Sequence, residues 1–504
     1  MPNFTLWYKM FTEVTRGADV YVGVEEWDTF IKTYQLPETR RRDAIFGSLM
    51  SLATSYKYQK LGNSIRDYFL KTNTPMPIVI AAKYVQLCGR LEGPEREEKV
   101  LQAYAELKKL SRLGIFDATT AQTVIDALYR TSQWKECIRL REIIQVLDAV
   151  GPTVNGKIVA GAFLHDDPDT AGEFLRVIQT AKQALIPVAL IAWYDYACRI
   201  GQVEVMKMLE HTRNAEWFIP LEVANKLKAR MESQADEDGY RWRGRFTTIS
   251  MKGECKACGA YLEPITITKE EFLKLRDNFF RLVVETSDVF LRSNPKEVAE
   301  FREFVEINAP FDLVIDGLNA AYFQHEAQRV TSRKLAERLR MVVEYVTTRN
   351  VGPKKVLVLG RKHMRSWPID EMRRISRAAK LFYAENISQD DPFLLYAALF
   401  SGPQCDFMSS DLMRDHRFKL ESKENQDALQ KVFLKWQRTH QLQILKVFPD
   451  GTVKLKPPMR FDTVAQWTKD SMHIPYESGV PRGLHEIPTN WLCLTKGSAD
   501  TTRI

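Results

Sequence analysis

Between residues 37 and 235 apolar positions recur at spacings of three and four with short polar breaks, which predicts amphipathic helices almost throughout. The breaks are themselves regular. Pro77, Asp117, Pro152, Pro187 and Pro220 each precede a new helical run, in contexts such as Gly114-Ile115-Phe116-Asp117 and Leu185-Ile186-Pro187. A period of about 35 residues with two helices per unit predicts a solenoid, in which each unit buries its apolar face only against its neighbours. The plainer alternative is an irregular helical bundle with chance punctuation.

From Phe311 the pattern changes to short apolar runs alternating with amphipathic segments. Asp312-Leu313-Val314-Ile315, Val356-Leu357-Val358-Leu359, Leu381-Phe382-Tyr383 and Asp406-Phe407-Met408 read as buried strands, separated by helices such as Ser332 to Thr348. That alternation predicts a parallel α/β sheet. Between the two regions, the acidic stretch Asp236-Glu237-Asp238 and Gly239 lead into Tyr240-Arg241-Trp242-Arg243-Gly244-Arg245-Phe246. Guanidinium groups interleaved with rings suit phosphate contact plus stacking; a half-buried edge strand with its charges in water fits the same letters.

Composition narrows the class only a little. The 504 residues allow two to four domains, and 45% hydrophobic with 27% charged residues excludes a disordered chain. No run of about 18 apolar residues occurs, so no membrane span is expected. A net charge of +8 leans toward a polyanionic partner such as nucleic acid, although charge alone is weak support. Seven cysteines, with Cys88, Cys137 and Cys198 scattered through helical segments, do not resemble a disulfide framework. The first 30 residues mix Lys9 and Arg16 with Glu13, Asp19, Glu25 and Glu26, unlike an Arg-rich, acid-poor transit peptide.

The candidate chemistry lies at the predicted strand ends, where open parallel sheets place their crevices. Asp316 follows Val314-Ile315, Asp390 and Asp391 close the loop after Leu381-Phe382-Tyr383, and Asp411 follows Phe407-Met408-Ser409-Ser410. Like charges that converge resist joint ionisation, and divalent cations resolve the conflict. Hard oxygen ligands suit Mg²⁺ or Mn²⁺, which can activate water against a phosphate. Taken singly, each acid is as readily a helix cap or a solvated loop charge. Arg414, Asp415 and His416 stand close behind as accessory candidates. Arg361, Lys362, Arg373, Arg374 and Arg377 can contact an RNA backbone or form a solvated face.

Cys255-Lys256-Ala257-Cys258, followed by Gly259, forms a knuckle able to deliver two thiolates to a tetrahedral ion. Two further ligands are needed. Cys493 with either His473 or His485 can supply them, and spacing does not choose. A redox role for the Cys pair is disfavoured because no thioredoxin-like unit surrounds it.

Phe311-Asp312-Leu313-Val314-Ile315-Asp316-Gly317-Leu318-Asn319, Asp390-Asp391-Pro392-Phe393-Leu394-Leu395-Tyr396 and Ser410-Asp411-Leu412-Met413-Arg414-Asp415-His416 closely resemble the protein-only ribonuclease P family, its animal mitochondrial members above all. The resemblance implies a multidomain chain: an N-terminal segment (1–36), an α-helical pentatricopeptide-repeat RNA-binding solenoid (37–235), a small zinc-binding central domain (236–263 with 455–504), and an α/β NYN/PIN-like metallonuclease domain (264–454). It implies that Asp316, Asp390, Asp391 and Asp411 hold two Mg²⁺ or Mn²⁺ ions, and it selects His473 and Cys493 to complete a structural zinc site with Cys255 and Cys258. The implied reaction is removal of the 5′ leader of precursor tRNA by hydrolysis, leaving a 5′-phosphate on the tRNA. His416 then positions water or phosphate, or is structural.

The resemblance further implies a mitochondrial location and, as partners, a tRNA methyltransferase and a short-chain dehydrogenase-like subunit. Counting equal distances from each repeat start, the positions turned toward a base are Ala81, Ala121, Gly156 and Ile191, none able to bond a base edge, so recognition of RNA shape is expected. Two rival readings stand beside this one. The first is an RNA-binding repeat protein with an inactive nuclease-like scaffold, and the second is a general single-strand endonuclease.

Overall fold

The computed structural model describes residues 4–34, 39–111, 116–147, 150–181, 183–233, 241–285, 295–322, 330–349, 355–385, 391–411, 426–479 and 488–497. By its packing the chain divides into two units, one comprising 1–246, 464–482 and 490–504, the other 247–463 and 483–489.

The first unit is a stack of helices: α1 (Phe4–Thr15), α2 (Val24–Thr33), α3 (Thr39–Tyr56), α4 (Gln59–Lys71), α5 (Ile78–Cys88), α6 (Glu95–Leu110), α7 (Ala118–Leu128), α8 (Glu136–Leu147), α9 (Pro152–Leu164), α10 (Pro168–Thr180), α11 (Pro187–Ile200), α12 (Gln202–Asn214) and α13 (Leu221–Ser233). The punctuation read from sequence is where helices begin. Pro152 and Pro187 stand at the first helical turn, where a missing N–H costs nothing. The Asp117 carboxylate caps α7 by accepting from the Thr120 N–H at 2.8 Å. Successive first helices pack in series, α3 on α5, α5 on α7, α7 on α9, α9 on α11 and α11 on α13, as expected of a helical repeat.

A ladder of polar contacts links those first helices. Lys83 bonds Ser51, Gln86 donates to Asp126 at 2.7 Å, Lys157 pairs with the same Asp126, and Lys226 reaches Asp195 at 2.9 Å. The Lys157–Asp126 pair is only 13% and 22% exposed, so screening weakens it far less than a surface pair. Burial also lowers the Lys83 ammonium from its ordinary range.

The base-facing assignment does not hold. Ala81 and Ala121 are 3% and 0% exposed within the core, Gly156 is buried against Ile186, and Ile191 packs on the same core. Counting from the helix start landed on the stripe where neighbouring helices touch, which demands small or apolar residues. The expectation of shape recognition loses its premise, since Lys83, Gln86, Asp126 and Lys157 beside that stripe do carry hydrogen-bonding groups.

Packed into the helical core is a sheet, absent from the sequence expectations, built from β1 (Ile219–Pro220), β2 (Arg241–Thr247), β9 (Gln466–Trp467), β10 (Ser471–Glu477) and β11 (Trp491–Gly497), in the order β1-β10-β11-β2 with β9 beside β10. Met472, Ile474, Leu492 and Leu494 share one hydrophobic cluster with the helices. β2 is an edge strand, so the structural half of the two readings of that segment is met. Its alternation leaves Arg241, Arg243 and Arg245 exposed and turns Trp242 toward the core.

The second unit carries the expected parallel sheet, with β3 (Leu313–Asp316), β4 (Val356–Arg361), β5 (Lys380–Ala384), β6 (Asp406–Met408), β7 (Gln441–Val447) and β8 (Val453–Lys456) in the order β5-β4-β3-β6-β7-β8. Only β8 runs antiparallel, paired with β7. The β7–β8 hairpin extends the sheet beyond the expected strands. Both faces are covered, which is why these strands read as continuous apolar runs. Val314, Leu357 and Phe407 face a core built with α14 (Lys269–Glu285), α15 (Pro295–Asn308), α19 (Asp391–Ser401) and the helix Gln426–His440. Leu313, Ile315, Val356 and Val358 face α17 (Ser332–Glu344) and α18 (Ile369–Ala378). The short α16 (Gly317–Ala321) follows β3 directly. No helix among the described residues is long and apolar enough to cross a membrane.

Candidate active site and metal centre

The sheet explains how the acids can meet. β3 pairs in parallel with β6 from Leu313↔Asp406 to Ile315↔Met408, so the residues that follow, Asp316 and Ser409, leave the same sheet edge side by side. Gly317 permits the turn there, because a Cβ would stand 2.7 Å from the Leu359 carbonyl oxygen. Asp316 is 6% exposed. One of its carboxylate oxygens accepts the Asn319 N–H at 2.9 Å, capping α16, and the other lies 3.4 Å from the Ser409 hydroxyl. The cap reading is therefore satisfied for one oxygen without excluding a further role for the group.

Asp411 is exposed, two residues beyond Ser409. Its N–H donates to the Ser409 hydroxyl at 3.1 Å, so a single hydroxyl links the Asp411 backbone to the Asp316 carboxylate. The Asn319 side chain accepts the Ser410 N–H at 2.9 Å, a second tie between the two strand ends. Asp391 opens α19, which follows β5 in the chain. Its side chain, and Asp390, Arg414, Asp415, His416 and His485, lie outside the described residues. Of the basic candidates, Lys362 pairs with Glu385 and Arg374 with Glu344, Arg361 donates to the Glu385 carbonyl, and Arg373 and Arg377 are exposed. Carboxylate oxygens at a strand edge are the hard donors that Mg²⁺ and Mn²⁺ take, so Asp316 and Asp411 fit such ions chemically.

The thiol and imidazole candidates stand in two local structures, one in each unit. His473 on β10 is directly opposite Cys493 on β11, a cross-strand pair whose side chains share a face. The knuckle closes with the Gly259 N–H donating to the Cys255 carbonyl at 2.8 Å and Gly259 at φ +75°, a left-handed conformation that glycine adopts without strain. Cys255, His473 and Cys493 are buried, whereas Cys258 is exposed. Burial lowers the His473 pKa below its ordinary value, favouring the neutral imidazole that metals require. Three sulfurs and one nitrogen suit tetrahedral zinc, whose donors stand about 3.8 Å apart when Zn–S is about 2.3 Å.

Sequence reasoning passed over Ser409, Asn319 and Gln441 as contributors to the edge. Ser409 and Asn319 sit within the motifs already singled out. Gln441 carries no sequence signal, since its contacts depend on a strand the pattern did not reveal.

The family described as protein-only RNase P has a model that matches residues 249–493, a span containing the candidate acids and all four thiol and imidazole candidates. The mitochondrial ribonuclease P catalytic subunit of Mus musculus is 33% identical over 441 residues, 85% of this chain and 72% of that protein. Its Rattus norvegicus counterpart is 32% identical over 484 residues, 94% of this chain and 78% of that one. Among solved structures, nuclear protein-only RNase P 2 of Arabidopsis thaliana superposes with a TM-score of 0.52 at 15% identity, covering 88% of this chain and 98% of that one, a likeness of fold. A third of the residues shared along most of both chains, with a helical repeat and an α/β sheet as framework, establishes that this chain belongs to the protein-only ribonuclease P family.

Proposed function

We propose that the protein is a metal-dependent endoribonuclease that removes the 5′ leader of precursor tRNAs and leaves a 5′-phosphate on the tRNA. The observation that supports this reading is the side-by-side exit of Asp316 and Ser409 from β3 and β6, with the Ser409 hydroxyl linking the Asp316 carboxylate to the Asp411 backbone, in a chain of a ribonuclease family. We assign Asp316, Asp390, Asp391 and Asp411 to hold two Mg²⁺ or Mn²⁺ ions. Bound there, such ions supply an activated water and neutralise charge on the phosphate during in-line displacement.

The chain's own residues prepare that event. The Asn319 N–H and the Ser409 hydroxyl fix the Asp316 carboxylate before substrate arrives, so little reorganisation remains for the reaction. Asp415, His416 and Arg414 are accessory groups for water or phosphate. By role, 37–235 binds RNA, 264–454 cuts it, and 236–263 with 455–504 carries a structural zinc on Cys255, Cys258, His473 and Cys493. A closed Cys₃His set leaves no open coordination position, which is why the role is structural. The exposed arginines of β2 add phosphate contacts.

We place the protein in mitochondria, working on precursor tRNA with a tRNA methyltransferase and a short-chain dehydrogenase-like subunit. Cleavage of an end-labelled precursor tRNA and of an unstructured RNA of equal composition, with Mg²⁺ and with or without those partners, tests the reading. The expected result is one cut at the leader junction of the folded precursor, with a 5′-phosphate on the tRNA body. Equal cutting of both RNAs would instead make it a general single-strand endonuclease, and no cutting under any combination a scaffold.

A further inference from the structure

We infer that Gln441 is a positioning residue for the active site, holding the Asp411 segment at the sheet edge through its side-chain amide, with Gln437 orienting it. The inference rests on the reading of Asp411 as one of the metal-holding carboxylates.

β6 is only three residues long, and its ladder with β7 ends where the Ser409 N–H donates to the Leu442 carbonyl at 3.2 Å. Among the described residues the β6–β7 ladder does not continue past that bond, yet Asp411 must be held for its carboxylate to be placed. The Gln441 Nε2 donates to the Ser409 carbonyl at 2.8 Å and to the Asp411 carbonyl at 2.7 Å, using both of its hydrogens. The Asp411 N–H is tied meanwhile to the Ser409 hydroxyl. Asp411 is thus fixed on both sides of its Cα by groups that also touch Asp316 or begin β7.

The amide orientation follows from chemistry. Both carbonyls only accept, so the nitrogen must face them and the Oε1 must turn away. That oxygen accepts from the Gln437 Nε2 at 2.9 Å, and Gln437 is 3% exposed in the last turns of the helix Gln426–His440. A relay therefore runs from a buried helix residue through one amide to the loop that carries a candidate ligand. Completing the end of a sheet would need one of those bonds; gripping the segment on either side of Ser410 needs both.

The test uses the full chain and compares wild type, Gln441→Met, Gln437→Met and Asp411→Asn. Methionine keeps the length of glutamine and removes its donors. Measured are kcat and KM on precursor tRNA, Mn²⁺ binding without RNA followed by electron paramagnetic resonance, and the thermal midpoint. For Gln441→Met we expect kcat to fall roughly 10- to 100-fold, the scale of a misplacement of about 1 Å, with KM changed less than about twofold. Mn²⁺ binding weakens in parallel, while a purely structural role would lower the midpoint and leave the Mn²⁺ affinity intact. Gln437→Met shows the same split to a smaller degree, and carries the test should Gln441→Met not fold. An inactive Asp411→Asn beside a Gln441→Met of wild-type kcat and Mn²⁺ affinity overturns the positioning role alone. A fully active Asp411→Asn overturns the reading of Asp411 on which it rests.

Discussion

Asp316 shows how a carboxylate proposed to take part in the chemistry is held by the fold itself. One oxygen caps α16 and the other meets the Ser409 hydroxyl, so the side chain is oriented by groups the fold needs anyway. Its position was legible because a buried apolar run ending in Asp-Gly can be read as a strand end. The proposed zinc ligands were legible only in part. Cys255 and Cys258 announce themselves by spacing, but His473 and Cys493 lie more than 200 residues away, and what joins them is the β10–β11 register, which no local pattern displays. The choice against His485 is open to measurement. Zinc analysis of the purified chain is expected to give one ion per molecule, lost in His473→Ala and kept in His485→Ala. Chelation should lower the thermal midpoint by about 5 °C or more, because binding energy at a structural site is folding energy. Zinc retained in His473→Ala would remove that residue from the set.

Secondary-structure elements were legible wherever one rule of patterning governed them. The repeat starts at Pro152, Pro187 and the Asp117 cap, and the strands β3 to β6, followed from periodicity and punctuation. The small sheet did not, because β10 contains Pro475 and β11 opens with four buried residues in a row, neither showing polar alternation. The base-facing positions failed for a related reason: a count from the helix start ignores which stripe packs on the next repeat. β2 is the element whose two readings turned out compatible, an edge strand that also displays three exposed arginines. Replacing Arg241, Arg243 and Arg245 together by Gln should raise KM for precursor tRNA and leave kcat unchanged. The slope of log affinity against log salt should fall by about 0.7 to 0.9 for each phosphate no longer neutralised. An unchanged slope would return the strand to a plain solvated edge.

As a whole the molecule combines a helical repeat, which we propose holds RNA, with an α/β unit whose β3–β6 edge carries Asp316 and Asp411. Family membership supplies the reaction class, and the β3–β6 edge is the place we propose for it. Neither would suffice alone, since the fold hosts many chemistries and a strand-end aspartate is often only a cap. The most direct measurement of the central claim is single-turnover cleavage of labelled precursor tRNA by wild type and Asp316→Asn across a Mg²⁺ titration. The amide keeps the size of the side chain and an oxygen able to accept the Asn319 N–H, so the fold should survive. The expected rate for Asp316→Asn is lower by roughly 10³-fold or more at every Mg²⁺ concentration, with precursor binding retained. Cleavage at the wild-type rate, with the same Mg²⁺ dependence, would contradict it.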